Sequence, residues 1–272
     1  YLDFDIIFMK ISILISSYNK DSYIEKCIQS CLSQTYKDFE VILLDNFSTD
    51  NTDLILEKYK KKILIKKEKK ISDYSTVNQM DVLKKAFSIS TGEIIRLLDA
   101  DDYFENNKLE IINKIFLQNK DKDVIFEKPR VLFNNNFTDY KIKKKFSNYI
   151  WPTSYQTSSI SIRRSFFDKF FREININSYP LLEIDFRITC ISTMIYKNFL
   201  NTDETLTIYR KVTDGIMSNI KKFSNKWWVK RLEAHYFIND ICNKNQIIHK
   251  KNYDFYLTKI IVSLLNIKRM NK

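Results

Sequence analysis

Apolar residues along this chain fall into short β-branched runs separated by stretches with helical spacing. Ile11–Ser16 (ISILIS) is the first run, too short for a helix, and predicts a buried strand. Ser17 to Lys20 follow as a loop. Asp21 or Ser22 then caps a helix, with Glu25 at capping-box distance from Ser22. Ile24, Cys27, Ile28, Cys31 and Leu32 share one face of that helix. Phe39–Leu44 predicts a second strand ending at Asp45. The turn Asn46–Asp50 leads into a helix expected to bury Leu54, Ile55 and Tyr59, and Ile63–Ile65 predicts a third strand. Val77–Ser90 reads as a helix with Met80, Leu83, Ala86 and Phe87 inward, closed by Gly92 as a C-terminal glycine. Ile94–Leu98 is a fourth strand running directly into Asp99-Ala100-Asp101-Asp102. Leu109–Leu117 is a helix and Val124–Phe126 a fifth strand.

Strands alternating with helices predict an α/β fold with a mostly parallel sheet flanked by helices. In such sheets ligands bind beyond the carboxyl ends of the strands. Polar residues gather at those ends: Tyr18 and Asn19 after the first strand, Asp45 after the second, Asp99 to Asp102 after the fourth. Past about Asn135 the pattern loosens. Lys141–Lys145 is a basic loop, Ser158–Ile162 a strand and Arg163–Phe171 a short helix. Leu182–Tyr196 is a helix beginning with Glu183 and Asp185, and Leu206–Tyr209 is a strand followed by Arg210. Two helices close the chain, about Lys226–Asn243 and Tyr253–Lys268.

The formal net charge of +12 suits an anionic partner: nucleic acid, a membrane surface or a phosphorylated substrate. It equally suits a lysine-rich solvated surface, because the runs Lys60–Lys62, Lys66–Lys70 and Lys141–Lys145 lie between apolar segments. The basic residues form no recognised nucleic-acid module, so no specific nucleic-acid partner is expected. The 4 cysteines, Cys27, Cys31, Cys190 and Cys242, have neither zinc spacing nor the look of a disulfide framework, which favours reduced, cytoplasmic thiols. No apolar run reaches membrane-spanning length. Met9-Lys10 directly precede the first strand, so Met9 reads as the natural start, or residues 1–8 reflect how the sequence was delimited.

Asp99, Asp101 and Asp102 within four residues repel one another unless a cation neutralises them, and hard carboxylate oxygens suit Mg²⁺ or Mn²⁺ shared with substrate phosphates. A helix N-cap is the alternative for Asp102, but one acid suffices for a cap. Asp45 is placed either to accept hydrogen bonds from a base or ribose or to form an Asx turn before Asn46. Tyr18 is placed to stack on a base or simply to be half-buried.

The segments MKISILISSYN, VILLDNFSTDNT and STGEIIRLLDADD, in this order, resemble the signatures of family 2 glycosyltransferases, inverting enzymes of the GT-A (Rossmann-like) fold. The resemblance is close from Met9 to about Tyr103 and continues weakly to about Ser218. It implies a nucleotide-diphosphate sugar donor, a glycan or lipid-linked acceptor and a role in bacterial surface polysaccharide synthesis. Tyr18 and Asp45 would line the nucleobase pocket, with Ser16, Asn19, Asp81 and Ala100 also on the donor side. Asp99 would face the ribose or the metal, and Asp101 would bind the metal, with Asp102 as a further candidate ligand. The resemblance divides the chain into a catalytic domain at 1–222 (donor half about 9–127, acceptor half about 128–222) and a helical extension at 223–272.

In inverting members a carboxylate deprotonates the acceptor hydroxyl as it attacks the anomeric carbon in a single displacement. Asp185 aligns best with that base. Ile184 takes the place of a Glu, leaving Glu183 as the rival, and both acids also suit a first helical turn. Val212 stands where a Tyr-Arg-x-His signature has His, leaving Arg210 or Lys211 to meet phosphate. These departures keep open a catalytically degenerate, nucleotide-binding homologue. A nucleotidyltransferase is disfavoured because Ser16 to Lys20 contains no Gly, and a basic nucleic-acid-binding protein is suggested by charge alone. His235 and His249 read as surface residues. Trp227, Trp228, Lys226, Lys230 and Arg231 make the tail a basic amphipathic element, suited either to packing on the domain or to peripheral contact with the inner face of a membrane.

Overall fold

The computed structural model describes residues 9–140, 155–213, 215 and 220–265. The basic run Lys141–Lys145, residues 1–8 and Lys268 lie outside them. In chain order the first half comprises β1 (Ile11–Ser17), α1 (Asp21–Leu32), β2 (Phe39–Asp45), α2 (Thr52–Glu57), β3 (Leu64–Lys67), α3 (Ser75–Ile89), β4 (Ile94–Asp99), β5 (Tyr103–Phe104) and α4 (Lys108–Gln118). Then follow β6 (Val124–Phe126), β7 (Arg130–Phe133), β8 (Asn136–Asp139), β9 (Ile160–Arg163), α5 (Arg164–Glu173) and α6 (Ile184–Cys190). β10 (Phe199–Asn201), β11 (Thr207–Arg210), α7 (Asn225–Lys244) and α8 (Tyr253–Leu264) complete the chain.

The larger sheet has seven strands in the order β10-β6-β9-β4-β1-β2-β3. β3, β2, β1 and β4 run parallel, with Ser17 opposite Asp45 and Ser16 opposite Asp99. This register brings the loops carrying Tyr18, Asn46 and Asp101 out side by side. β9 is antiparallel to both β4 and β6, so the sheet is mixed at one end. A second sheet, β5-β11-β7-β8, places Arg210 at the end of β11 near the acidic turn.

Alternation along β1 feeds two cores. Leu14 joins Ile42, Leu44, Met80 and the Phe166–Phe170 face of α5, whereas Ile11, Ile13 and Ile15 join α1 and α4 through Ile24, Ile28 and Phe116. α7 adds Ala234, Phe237 and Ile241 to the first core, so the helical extension shares its packing with the rest of the chain. α8 rests on α7 through Phe255 and Val262 against Leu232 and Trp228. All four cysteines are buried and free. No helix among the described residues is long and apolar enough to cross a membrane.

Four local expectations change. Leu54 is 68% exposed and Leu56 is buried instead, because α2 is only six residues long and turns a different face inward. No capping box forms at α1: Ser22 Oγ donates to Asp21 Oδ1, and the helix start is held by Asp50, which accepts from Asp21 N at 3.1 Å. Gly92 is not a left-handed cap; α3 ends at Ser90 in extended backbone, and no described glycine has positive φ. Gly92 is required by close approach to β1, since a Cβ there would lie 2.5 Å from Ser12 N and 2.8 Å from the Ile11 carbonyl carbon. His235 is not a surface residue: it is 4% exposed, its Nε2 lies 2.8 Å from Asp254 Oδ2, and Arg231 donates to the same carboxylate at 2.6 Å.

Candidate active site

The acidic turn leaves the end of β4 with three carboxylates converging. One oxygen from each of Asp99, Asp101 and Asp102 lies within 4.8 Å of the others. Crowding of like charge in a desolvated position has the expected effect. Burial, then Asp101 and Asp185, pushes the Asp99 carboxyl up to about 8. Burial, then Asp101 and Asp99, pushes Asp102 well above the usual carboxylate range.

The three acids differ in what holds them. Asp99 Oδ1 accepts from Gln79 Nε2 at 2.7 Å. Asp101 faces Lys20, with Nζ 3.2 Å from Oδ2. Asp102 is fully buried and has both oxygens engaged: Oδ2 accepts from Ser158 Oγ at 2.6 Å and Oδ1 from Arg210 N at 2.8 Å. The donor set of Asp99 and Asp101 therefore fits a hard divalent cation, and Asp102 anchors the turn to β11 and to the residues preceding β9.

Ser158 is the pivot of this anchoring. Its hydroxyl also accepts from Asp99 N at 3.0 Å, so one side chain bridges two of the acids. Its carbonyl accepts three bonds, from Arg96 Nη2 at 2.9 Å, Thr207 Oγ1 at 3.0 Å and Lys108 Nζ at 3.1 Å. Arg96, Lys108 and Glu127 form a charge cluster with no exposed side-chain surface. Lys108 bonds Glu127 and Thr207, and Arg96 bonds Ser161. Two basic side chains and one carboxylate thus share a buried cluster behind the acidic turn.

At the end of β2, Asp45 is fully buried, its oxygens accepting from Ser48 N at 2.8 Å and Ser48 Oγ at 2.6 Å. Asn19 adopts a left-handed backbone (φ 50°) and ties the first loop to the second through Thr49 N at 2.8 Å. Tyr18 is exposed, and Lys70 Nζ sits 3.2 Å from its ring centroid. Ser16 ends its run opposite Asp99, and Ala100 is buried between the acids. Asp81 pairs with Lys85 at 2.9 Å. Arg210 sits between the Tyr23 and Tyr103 rings and donates to the Asp101 and Tyr23 carbonyls, so it braces the turn.

Beyond the acids, Asp185 opens α6 and accepts from Phe186 N at 2.6 Å. Burial, then the neighbouring Glu183, raises its carboxyl to about 7. Glu183 instead forms an ion pair with Lys230 of α7. Ile184 is fully buried in the first core, which is why an apolar residue stands between the two acids. Lys20, Gln79 and Ser158, which contact the three acids, carry no signal in the sequence pattern, since each is a single polar residue meeting a partner distant in sequence.

The profile described as Glycosyl transferase family 2 matches residues 12–178. An uncharacterized glycosyltransferase of Methanocaldococcus jannaschii is 30% identical over 232 residues, covering 78% of this chain and 74% of its own length. An uncharacterized glycosyltransferase of Nostoc sp. is 28% identical over 213 residues, 73% of this chain. The hyaluronan synthase of Pasteurella multocida is 27% identical over 256 residues, 90% of this chain. The chain spans 62% of the length of the Nostoc protein and 24% of the synthase. Among solved structures, S. aureus TarS 1-349 in complex with UDP-GlcNAc superposes with TM-score 0.64 at 17% identity, covering 95% of this chain and 72% of that one. The mannosyltransferase PcManGT from Pyrobaculum calidifontis in complex with GDP-Man and Mn²⁺ gives TM-score 0.55 at 13% identity, covering 95% and 70%. These likenesses establish the GT-A fold.

Proposed function

The chain belongs to glycosyl transferase family 2, and from that premise we propose that it transfers a sugar with inversion from a nucleotide-diphosphate donor to a glycan or lipid-linked acceptor. The observation that carries the reading is the convergence of Asp99, Asp101 and Asp102 within 4.8 Å at the carboxyl ends of parallel strands. Asp99 and Asp101 would hold Mg²⁺ or Mn²⁺. When bound, such an ion offsets the charge of the departing diphosphate. Lys20, already paired with Asp101, would meet the same phosphates. Asp45 and the Tyr18 face would receive the nucleoside once Lys70 moves aside.

Asp185 serves as the base in this reading. Its carboxyl, raised to about 7, is matched to taking the acceptor proton near neutral pH. Glu183, committed to Lys230, supports Asp185 by fixing the start of α6 to α7. The fully buried Ile184 accounts for the missing acid by packing, which favours a working enzyme over a degenerate homologue. The likeness to a hyaluronan synthase supports a glycan product, in keeping with bacterial surface polysaccharide synthesis at the cytoplasmic face of the membrane. In the same reading the catalytic domain extends over 1–222 and the helical extension over 223–272.

Isothermal titration with UDP, GDP, CDP and dTDP, each with and without Mn²⁺, tests the site beside an Asp101→Ala variant. One nucleotide should bind only with metal, and Asp101→Ala should abolish that binding. Binding of no nucleotide under any condition, or unchanged binding by the variant, overturns the reading.

A further inference from the structure

α8 is apolar on two opposite faces. One face, Phe255 and Val262 with Thr258 between them, packs on α7. The other carries Tyr253, Tyr256, Leu257, Ile260 and Leu264, spaced as one stripe of a helix, and all five are exposed, Tyr253 by 81% and Leu264 by 77%. The fold already has what it needs from the buried face. A contiguous exposed stripe of this kind marks a contact surface.

The charges around the stripe select the occupant. The hairpin from Ser224 to Leu265 contains three acids, Glu233, Asp240 and Asp254. Each is engaged by a neighbour: Glu233 accepts from Leu181 N at 2.9 Å, Asp240 from the Tyr179 hydroxyl, and Asp254 from Arg231 and His235. Lys226, Lys250, Lys251 and Lys259 are exposed. Asp254 is the only acid of α8 and is already engaged, while Lys259 of the same helix is exposed beside the stripe. A second copy meeting it across a two-fold axis would set Lys259 of each chain near the other's cations without compensation. An anionic lipid surface supplies both the apolar phase and the compensating charge.

We propose that α8 is an interfacial helix that docks on anionic phospholipid. The stripe enters the acyl boundary, Tyr253 and Tyr256 sit at headgroup depth, and Lys250 and Lys259 contact phosphates. This deepens the peripheral-membrane part of the functional reading and does not depend on its donor chemistry.

Flotation of the full chain with phosphatidylcholine vesicles, with and without phosphatidylglycerol, tests the docking. Binding is expected to the anionic vesicles alone, and to weaken with added salt. Ile260→Asp with Leu264→Asp should weaken it at least about tenfold, since both side chains trade apolar burial for charge. Lys250→Glu with Lys259→Glu should remove the preference for anionic lipid. Both positions of the first pair are exposed, and circular dichroism checks that each variant stays folded. No flotation with anionic vesicles overturns the proposal. So does a wild-type dimer by light scattering that the Ile260→Asp/Leu264→Asp pair dissociates, which assigns the stripe to a second copy. Nucleotide titration of the same variants separates this outcome from a failure of the donor-site reading.

Discussion

Replacing Glu127 by Gln tests the charge cluster that backs the acidic turn. Glu127, Arg96 and Lys108 have no exposed side-chain surface, and Gln preserves the shape while removing the only carboxylate among them. Arg96 Nη2 lies 3.8 Å from that carboxylate. At an effective dielectric of about 20, a pair at such a distance is worth about 4 kcal/mol. Removing one partner of a buried pair costs about 3–5 kcal/mol, because the other charge is left uncompensated.

Lys108 limits the loss. Burial, then repulsion from Arg96, already holds its ammonium well below the usual lysine range. Without Glu127 it falls further, which favours the neutral amine. Urea denaturation followed by circular dichroism should show Glu127→Gln less stable by about 3–5 kcal/mol, a drop of roughly 10 °C in Tm. Adding Lys108→Met should return at least about 1 kcal/mol of this, since only Arg96 then needs partners and it keeps Ser161 and the Ser158 carbonyl. A single variant within about 1 kcal/mol of wild type, or a double variant less stable than the single, refutes the reasoning. The same single variant should weaken metal-dependent nucleotide binding where it is still folded, because Ser158 holds Asp99 and Asp102.

Asp185→Asn should lower kcat by about 10²–10⁴, as expected for loss of a general base. In the wild type, kcat/KM should rise with pH through about 7, where the half-buried Asp185 carboxyl ionises, and a flat profile across that range contradicts the assignment. The linked stability change has the opposite sense. A carboxyl raised from 3.8 to about 7 favours the protonated native state, so its contribution is full below about 4 and lost between there and about 7. Gly92→Ala should cost more than about 2 kcal/mol in denaturant titration, since the added Cβ meets Ser12 N at 2.5 Å and the neighbour is backbone that cannot rotate away. A cost under about 0.5 kcal/mol would mean that β1 and the Gly92 loop part easily.

What could be read along the chain, and what could not, follows the range of the interactions. β1, β2 and β4 are short apolar runs buried on both sides, so composition and length identify them, and the parallel register then sets Asp45 and Asp99 at neighbouring strand ends. Phase is lost where an element is short: six residues of α2 do not distinguish Leu54 from Leu56. Gly92 was legible as a special position, yet its reason is an approach to Ser12, 80 residues earlier. The acids Asp99, Asp101 and Asp102 are legible because their mutual repulsion is written within four residues. Their compensation is not. Lys20 reaches Asp101 from the first loop, Ser158 reaches Asp102 from 56 residues on, and Lys108 bonds Thr207 across 99. Each of these cations and hydroxyls has, in its own neighbourhood, the pattern of a solvated residue. An isolated Lys at a helix start is ordinarily exposed, and only the fold makes Lys108 a buried counter-charge. An acidic cluster of this kind is therefore readable as a demand for positive charge, while the residues that meet the demand are set by tertiary packing and have to be found in the structure.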